Sequence, residues 1–179
     1  KNIIITGPNA AGKSTFIKTI LINVLLAQTI SLSTSSNMDL TIFKNLNSYL
    51  HIPDTKGKES LFEAEMNRSL NYIKYLKTHK GDKSLIIMDE LFSSTNSEEG
   101  IEAAKIVCKE LIKYKSNVTL LTTHYSELFT LEKDTKNFKN YRFKIKRDKE
   151  NNIIFTYKIE KGFSKDYIAL ELFSKKMNN

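Results

Sequence analysis

The sequence predicts an α/β fold: a central, mostly parallel sheet flanked by helices, with an antiparallel hairpin at one edge. Three observations predict it. Short apolar runs such as Leu85-Ile86-Ile87-Met88 carry no polar interruption, as in strands covered on both faces. They alternate with longer stretches whose apolar side chains recur at three- and four-residue spacing. Toward the C-terminal end the pattern changes to two strand-like segments around a polar turn. With 179 residues, 40% of them hydrophobic and 27% charged, the chain has enough material for one domain with a core, and its composition is not that of a disordered segment.

The elements follow in order. Lys1 to Thr6 reads as a short buried strand and Ser14 to about Thr29 as a helix, with Phe16, Ile17, Ile20, Leu21, Val24 and Leu25 on one side. Ser31 to Asn37 is a loop or weak strand, and Met38 to Ile52 shows no decisive period. Pro53 to Gly57 is a turn. Glu59 to Lys77 reads as a second helix with Phe62, Met66, Leu70, Ile73 and Leu76 as its stripe. Ser84 to Met88 is a strand, and the polar loop Ser93 to Ser97 leads into a helix from Glu98 to Lys113. That helix turns Ile101, Ala104, Val107, Cys108 and Leu111 inward, which makes the sole cysteine a core residue rather than a nucleophile. Val118 to Thr122 is a third strand, Ser126 to Leu131 a short helix, and Tyr141 to Arg147 with Ile153 to Ile159 an antiparallel hairpin. After Gly162 a terminal helix is expected from about Tyr167 to Lys176. No apolar run has the length of a membrane span. The chain opens almost directly on an apolar strand, so residues 1–179 are expected to form one domain of a larger protein.

The formal net charge is +8, nearly all of it from lysine, since Arg68, Arg142 and Arg147 are the only arginines. Charge alone fits a polyanionic partner and a lysine-rich solvated surface equally well.

Residues 7 to 14 read Gly-Pro-Asn-Ala-Ala-Gly-Lys-Ser, a complete G-x-x-x-x-G-K-S loop between a strand and a helix. Gly7 and Gly12 allow the backbone to turn its N–H groups inward, and these, with the helix N-terminus, suit phosphate oxygens. Lys13 is expected to reach the β- and γ-phosphates and the Ser14 hydroxyl to ligate Mg²⁺. Asp89 and Glu90 follow the apolar strand at the end where such sheets place ligands. Asp89 would hold Mg²⁺ through water and Glu90 would orient or deprotonate the attacking water. His124, after the third strand, is a candidate for the γ-phosphate end. No Cys, His, Asp and Glu residues are spaced as a zinc site, so ATP with Mg²⁺ is the expected pairing.

These motifs together resemble the ATPase domain of MutS-type proteins. The resemblance is carried by Thr6-Gly7-Pro8-Asn9-Ala10-Ala11-Gly12-Lys13-Ser14-Thr15-Phe16, Leu26-Ala27-Gln28-Thr29, Met88-Asp89-Glu90-Leu91 with Thr95-Asn96-Ser97 and Gly100, Thr122-Thr123-His124-Tyr125-Ser126-Glu127-Leu128, and Gly162, Ser164 and Tyr167. It implies a P-loop NTPase of the ABC-like type, with ATP hydrolysis driving conformational change of a DNA repair protein. It also implies a homodimer or heterodimer through this domain, double-stranded DNA held by regions outside the chain, an intracellular setting of unspecified compartment, and no membrane. The family completes each nucleotide site with a loop from the partner. Here the matching stretch is Lys58-Glu59-Ser60-Leu61-Phe62, with Glu65-Met66 in register, so Ser60 is the residue expected to act in trans. Glu59 would bring negative charge near phosphate. Two other readings stand beside this one: a different ABC-like ATPase, whose Leu-Ser-Gly-Gly-Gln signature is absent, and an assembly module that holds ATP with little turnover.

Overall fold

The computed structural model describes residues 2–50, 60–164 and 177. It contains β1 (Asn2–Thr6), α1 (Lys13–Ile30), β2 (Asn45–Tyr49), α2 (Leu61–Thr78), β3 (Ser84–Met88), α3 (Ser97–Leu111), β4 (Asn117–Thr122), a 3-10 turn (Ser126–Thr130), α4 (Leu131–Thr135), β5 (Phe138–Arg147) and β6 (Ile153–Lys161). These strands form one sheet in the order β2-β3-β4-β1-β5-β6. The first five are parallel, and β6 runs antiparallel to β5. The α/β class and the mixed sheet are those read from the sequence.

Alternation along the central strands sorts two apolar layers. Ile4, Ile86, Met88, Leu121 and Phe138 pack with Ile73, Leu76, Ala104, Cys108 and Leu111 of α2 and α3. Ile5, Leu85, Ile87 and Leu120 pack on the other face with Ile17 and Val24 of α1 and with Phe143. Every side chain of β3 is buried, as its continuous apolar run requires. Cys108 is fully buried, and its thiol is pushed up to about 12 by that burial, so it is a core residue.

Several expectations are corrected. The stretch without a decisive period contains β2, whose parallel register runs from Asn45 opposite Ser84 to Tyr49 opposite Met88. On α1, Leu25 is 49% exposed and lies off the buried stripe. On α2, Met66 and Leu70 are exposed, and Glu65, Ser69 and Tyr72 are buried instead, because the buried face is rotated from the apolar one by about one position. The Tyr72 hydroxyl donates to the Ser48 carbonyl at 2.6 Å, which fastens α2 to β2. The short helix after His124 is a 3-10 turn running into α4. Strand β5 begins at Phe138 and pairs parallel with β1 over its first five residues before turning to β6. The expected terminal helix and the turn at Pro53 lie outside the described residues. Among the described residues no helix is long and apolar enough to cross a membrane.

Candidate nucleotide site

Parallel pairing brings the carboxyl ends of β1, β3 and β4 to the same edge, so the segments that follow them are neighbours. After β1 the chain turns through Gly7 to Gly12, with the Ala11 N–H donating to the Pro8 carbonyl at 3.2 Å. Gly12 has φ of 101°, a conformation that side chains resist, and it forms the entry to α1. This helix start is left open: no side chain caps it and its first turn carries no acid. By contrast, α2 and α3 are capped by Ser60 and Asn96 and have glutamates in their first turns. An uncapped N-terminus without an acid keeps its N–H donors and its positive end available to an anion.

Lys13 is 5% exposed, and its Nζ donates to the carbonyls of Gly7 at 3.0 Å and Pro8 at 3.3 Å. The same ammonium lies 3.6 Å from Oε1 of Glu90. Glu90 is placed by backbone pairing across strands, since its N–H is shared between the carbonyl and hydroxyl oxygens of Thr122 at 3.1 and 3.0 Å. Its φ of 50° and that of Phe92, 57°, lie in the left-handed region, where non-glycine residues cluster at functional sites. The Asp89 N–H donates to the Tyr49 carbonyl at 2.8 Å, and its Oδ1 accepts from the Thr122 hydroxyl at 2.5 Å. Strand β2, unread in the sequence, therefore helps to hold Asp89.

A cleft of about 200 Å³ is lined by Asn9, Ala10, Gly12, Lys13, Ser14, Thr15 and Glu90. Gly7, Pro8 and Ala11 are not among the lining residues, and Pro8 and Ala11 are buried. Asp89 and His124 are also outside the lining. His124 sits past the end of β4 with its ring centroid 4.4 Å from that of Tyr125. Its neighbour Thr123 is anchored by an N–H bond to the Ile5 carbonyl at 3.1 Å. Burial pushes the pKa of the Tyr125 phenol up, with further contributions from the charges of Glu65 and Glu90. Ser60 is not among the residues lining the cleft; it is exposed, with its hydroxyl accepting from the Glu63 N–H at 3.2 Å as the cap of α2. Lys58 and Glu59 lie outside the described residues.

The metal expectation can be weighed against these groups. Ser14 and Asp89 offer only oxygen donors, as a hard cation such as Mg²⁺ requires, and such an ion takes few protein ligands when phosphate supplies the rest. Among the described residues no cluster of three or more His, Cys, Asp or Glu side chains exists that would favour another metal.

One candidate was missed in the sequence. Tyr157 is 68% exposed and has φ of 54°, and its ring edge lies 3.5 Å from where a Cβ on Gly12 would stand. Strand alternation from Phe155 and Ile159, which pack on the α1 face, is the signal that places it on the side of the phosphate loop. The late turn also reaches this region, where the Ser164 N–H donates to the Thr6 hydroxyl at 2.8 Å.

Residues 3–176 match the family model of MutS domain V. The chain is 34% identical over 170 residues to MutS protein homolog 4 of Homo sapiens, covering 92% of this chain and 18% of that protein. It is 35% identical over 162 residues to the DNA mismatch repair protein MutS of Persephonella marina, covering 90% and 18%. Against the DNA mismatch repair protein MutS of Thermotoga petrophila the identity is 32% over 171 residues, covering 95% and 21%. The chain thus spans about a fifth of the length of these relatives. With the family model matched over nearly its whole length, this chain belongs to the MutS family as a domain V.

Proposed function

We propose that this domain is an Mg²⁺-dependent ATPase of the P-loop, ABC-like type, which drives conformational change of a MutS-like DNA repair protein on double-stranded DNA inside the cell. The observation that carries the reading is the open, acid-free start of α1 beside a buried Lys13 that stands 3.6 Å from Glu90. Asn9, Ala10, Gly12 and Thr15 would offer backbone N–H groups to the phosphates, while Gly7, Pro8 and Ala11 shape the turn that presents them. Lys13 neutralises charge that develops on the transferred group. Ser14 and Asp89 would hold Mg²⁺, which when bound spreads the negative charge of the phosphates. Glu90 orients water for in-line attack and accepts its proton, and His124, from its place past the end of β4, would support the γ-phosphate end. Tyr157 offers an aromatic face for the base. Ser60 would act on a partner subunit's nucleotide, in a homodimer or heterodimer.

The test is steady-state hydrolysis by the full-length protein beside Glu90→Gln, with and without duplex DNA. Loss of a general base or water-positioning group is expected to lower turnover by about 10²–10⁴ while ATP is still bound. Equal turnover in both proteins would sink the assignment. A nucleotide-gated assembly module is the second reading. It is favoured by the Lys58-Glu59-Ser60-Leu61 stretch, where an acid stands in the segment expected to approach phosphate. ATP-dependent dimerisation without turnover would select it.

A further inference from the structure

Glu65 is a carboxylate side chain in the interior: the residue is 5% exposed, and among the described residues no Lys, Arg or His pairs with it. Burying an acid without a cation is costly, so the contacts that Glu65 does make carry the question of its role. Its Oε2 accepts from the Ser94 hydroxyl at 2.5 Å. Ser94 belongs to the loop that leaves Asp89 and Glu90, whereas Glu65 lies in the second turn of α2, five residues after its cap Ser60.

The same loop is gripped from the other side. The Tyr125 hydroxyl donates to the Phe92 carbonyl at 2.7 Å, and Tyr125 is the neighbour of His124. Phe92 is buried with its backbone in the left-handed region, and its ring meets that of Phe62 on α2 edge-on at 5.6 Å. The buried Tyr49 hydroxyl completes no hydrogen bond, and its pKa is pushed up by burial first and by the nearby Glu65 carboxylate second. Two polar contacts, one from α2 and one from the segment of His124, thus hold the loop between Glu90 and α3.

We infer that Glu65 is a positioning residue, a latch that ties the loop 91–96 to α2 and thereby transmits displacement at Ser60 to Asp89 and Glu90. This rests on the ATPase reading for its consequence, but the latch itself is a physical contact that can be read without nucleotide. Movement of α2 along its axis would break or tighten a single hydrogen bond to a charged acceptor, the kind of two-position contact that can carry coupling.

The full-length protein is compared with Glu65→Gln, Glu65→Ala, Ser94→Ala and the Glu65→Ala/Ser94→Ala pair. Amide hydrogen exchange is followed at residues 91–96, with the amides of β4 as internal reference. Glu65→Ala and Ser94→Ala are expected to speed exchange in the loop about ten-fold relative to β4, with the double variant no faster than the faster single one. Glu65→Gln keeps an acceptor and the shape, and should retain most of the protection. Under saturating ATP the Ala variants should lose about ten-fold in turnover with nucleotide affinity changed by less than about two-fold, the pattern of a group that positions rather than binds. Unchanged exchange at 91–96, or additive effects in the double variant, would overturn the latch whatever the turnover. Loop exchange that rises with turnover unaltered would overturn its link to Glu90. A wild-type protein that binds no ATP would instead defeat the ATPase reading, leaving the exchange result to decide the latch.

Discussion

Gly100 shows how little room there is where α3 meets Phe92 and Tyr125. A Cβ there would stand 2.3 Å from the Tyr125 hydroxyl and 2.7 Å from the Phe92 carbonyl, and the latter is backbone that cannot rotate away. Gly100→Ala is therefore expected to destabilise the domain by about 1–3 kcal/mol, the usual range for overpacking, and to separate Tyr125 from Phe92. A lowered urea midpoint at unchanged slope would bear this out; a midpoint equal to wild type would refute it. Tyr157 is the opposite case, an exposed ring with space in front of it. If the base stacks there, Tyr157→Ala should weaken ATP binding by an amount on the order of 1–3 kcal/mol, and Tyr157→Phe should restore it. Titration with a fluorescent ATP analogue measures both. Equal weakening by Ala and Phe would point to the hydroxyl, and no weakening by either would remove Tyr157 from the site. The tight turn from Gly7 to Gly12 was legible because its sequence pattern is local and ordered along the chain. Tyr157 was not, because its nearness to Gly12 depends on how β6 folds back across β5.

At the scale of elements, legibility followed burial. Strand β3 was plain because all five side chains are buried and the four from Leu85 to Met88 are apolar. Strand β2 was not: at the sheet edge it pairs on one side only, and its sequence Asn-Leu-Asn-Ser-Tyr carries four half-buried residues before Tyr49. What fixes the approach to it is a non-local contact, since the Gln28 side chain both donates to the Phe43 carbonyl at 3.1 Å and accepts its N–H at 2.7 Å. The buried face of α2 was misjudged for a related reason. Two of its inward polar residues are satisfied by partners outside the helix, Glu65 by Ser94 and Tyr72 by Ser48, which periodicity cannot reveal. Ser60 illustrates how an element's own need can hide a functional role. As the cap of α2 it should contribute about 1 kcal/mol, so Ser60→Ala lowers stability even if the residue touches no nucleotide. Ser60→Asp keeps the cap. Where Ser60 also meets a partner's phosphates, Asp restores the melting temperature but not ATP turnover, because a carboxylate there repels them. Recovery of both by Asp would confine Ser60 to capping.

Across the whole molecule, acidic side chains act as clasps, between elements or within one. Glu132 of α4 accepts the Asn140 N–H of β5 at 2.9 Å, with the Lys139 ammonium at 3.1 Å, and these hold its carboxyl below the usual range against the opposing effect of burial. The Lys144 and Arg142 side chains do the same for Glu160 across the hairpin, and Lys113 does so for Glu110 in α3. In each case the folded state prefers the charged form, so the unfolded chain binds more protons as pH falls through the ordinary carboxylate range. Stability from these groups is complete above the unfolded value, about 4.3 for glutamate, and disappears as pH drops through the lower folded values. Protonation also leaves 28 basic side chains unopposed by the 20 acidic ones, which adds repulsion in the same direction. Urea unfolding should accordingly give a free energy that is level from neutrality to about pH 5 and declines below it. Glu132→Gln removes one clasp, so its curve should start lower at neutral pH and approach that of the wild type in acid, where the wild-type carboxyl has itself become neutral. A constant gap between the two curves from pH 7 to pH 3 would show that Glu132 acts through packing rather than through its charge.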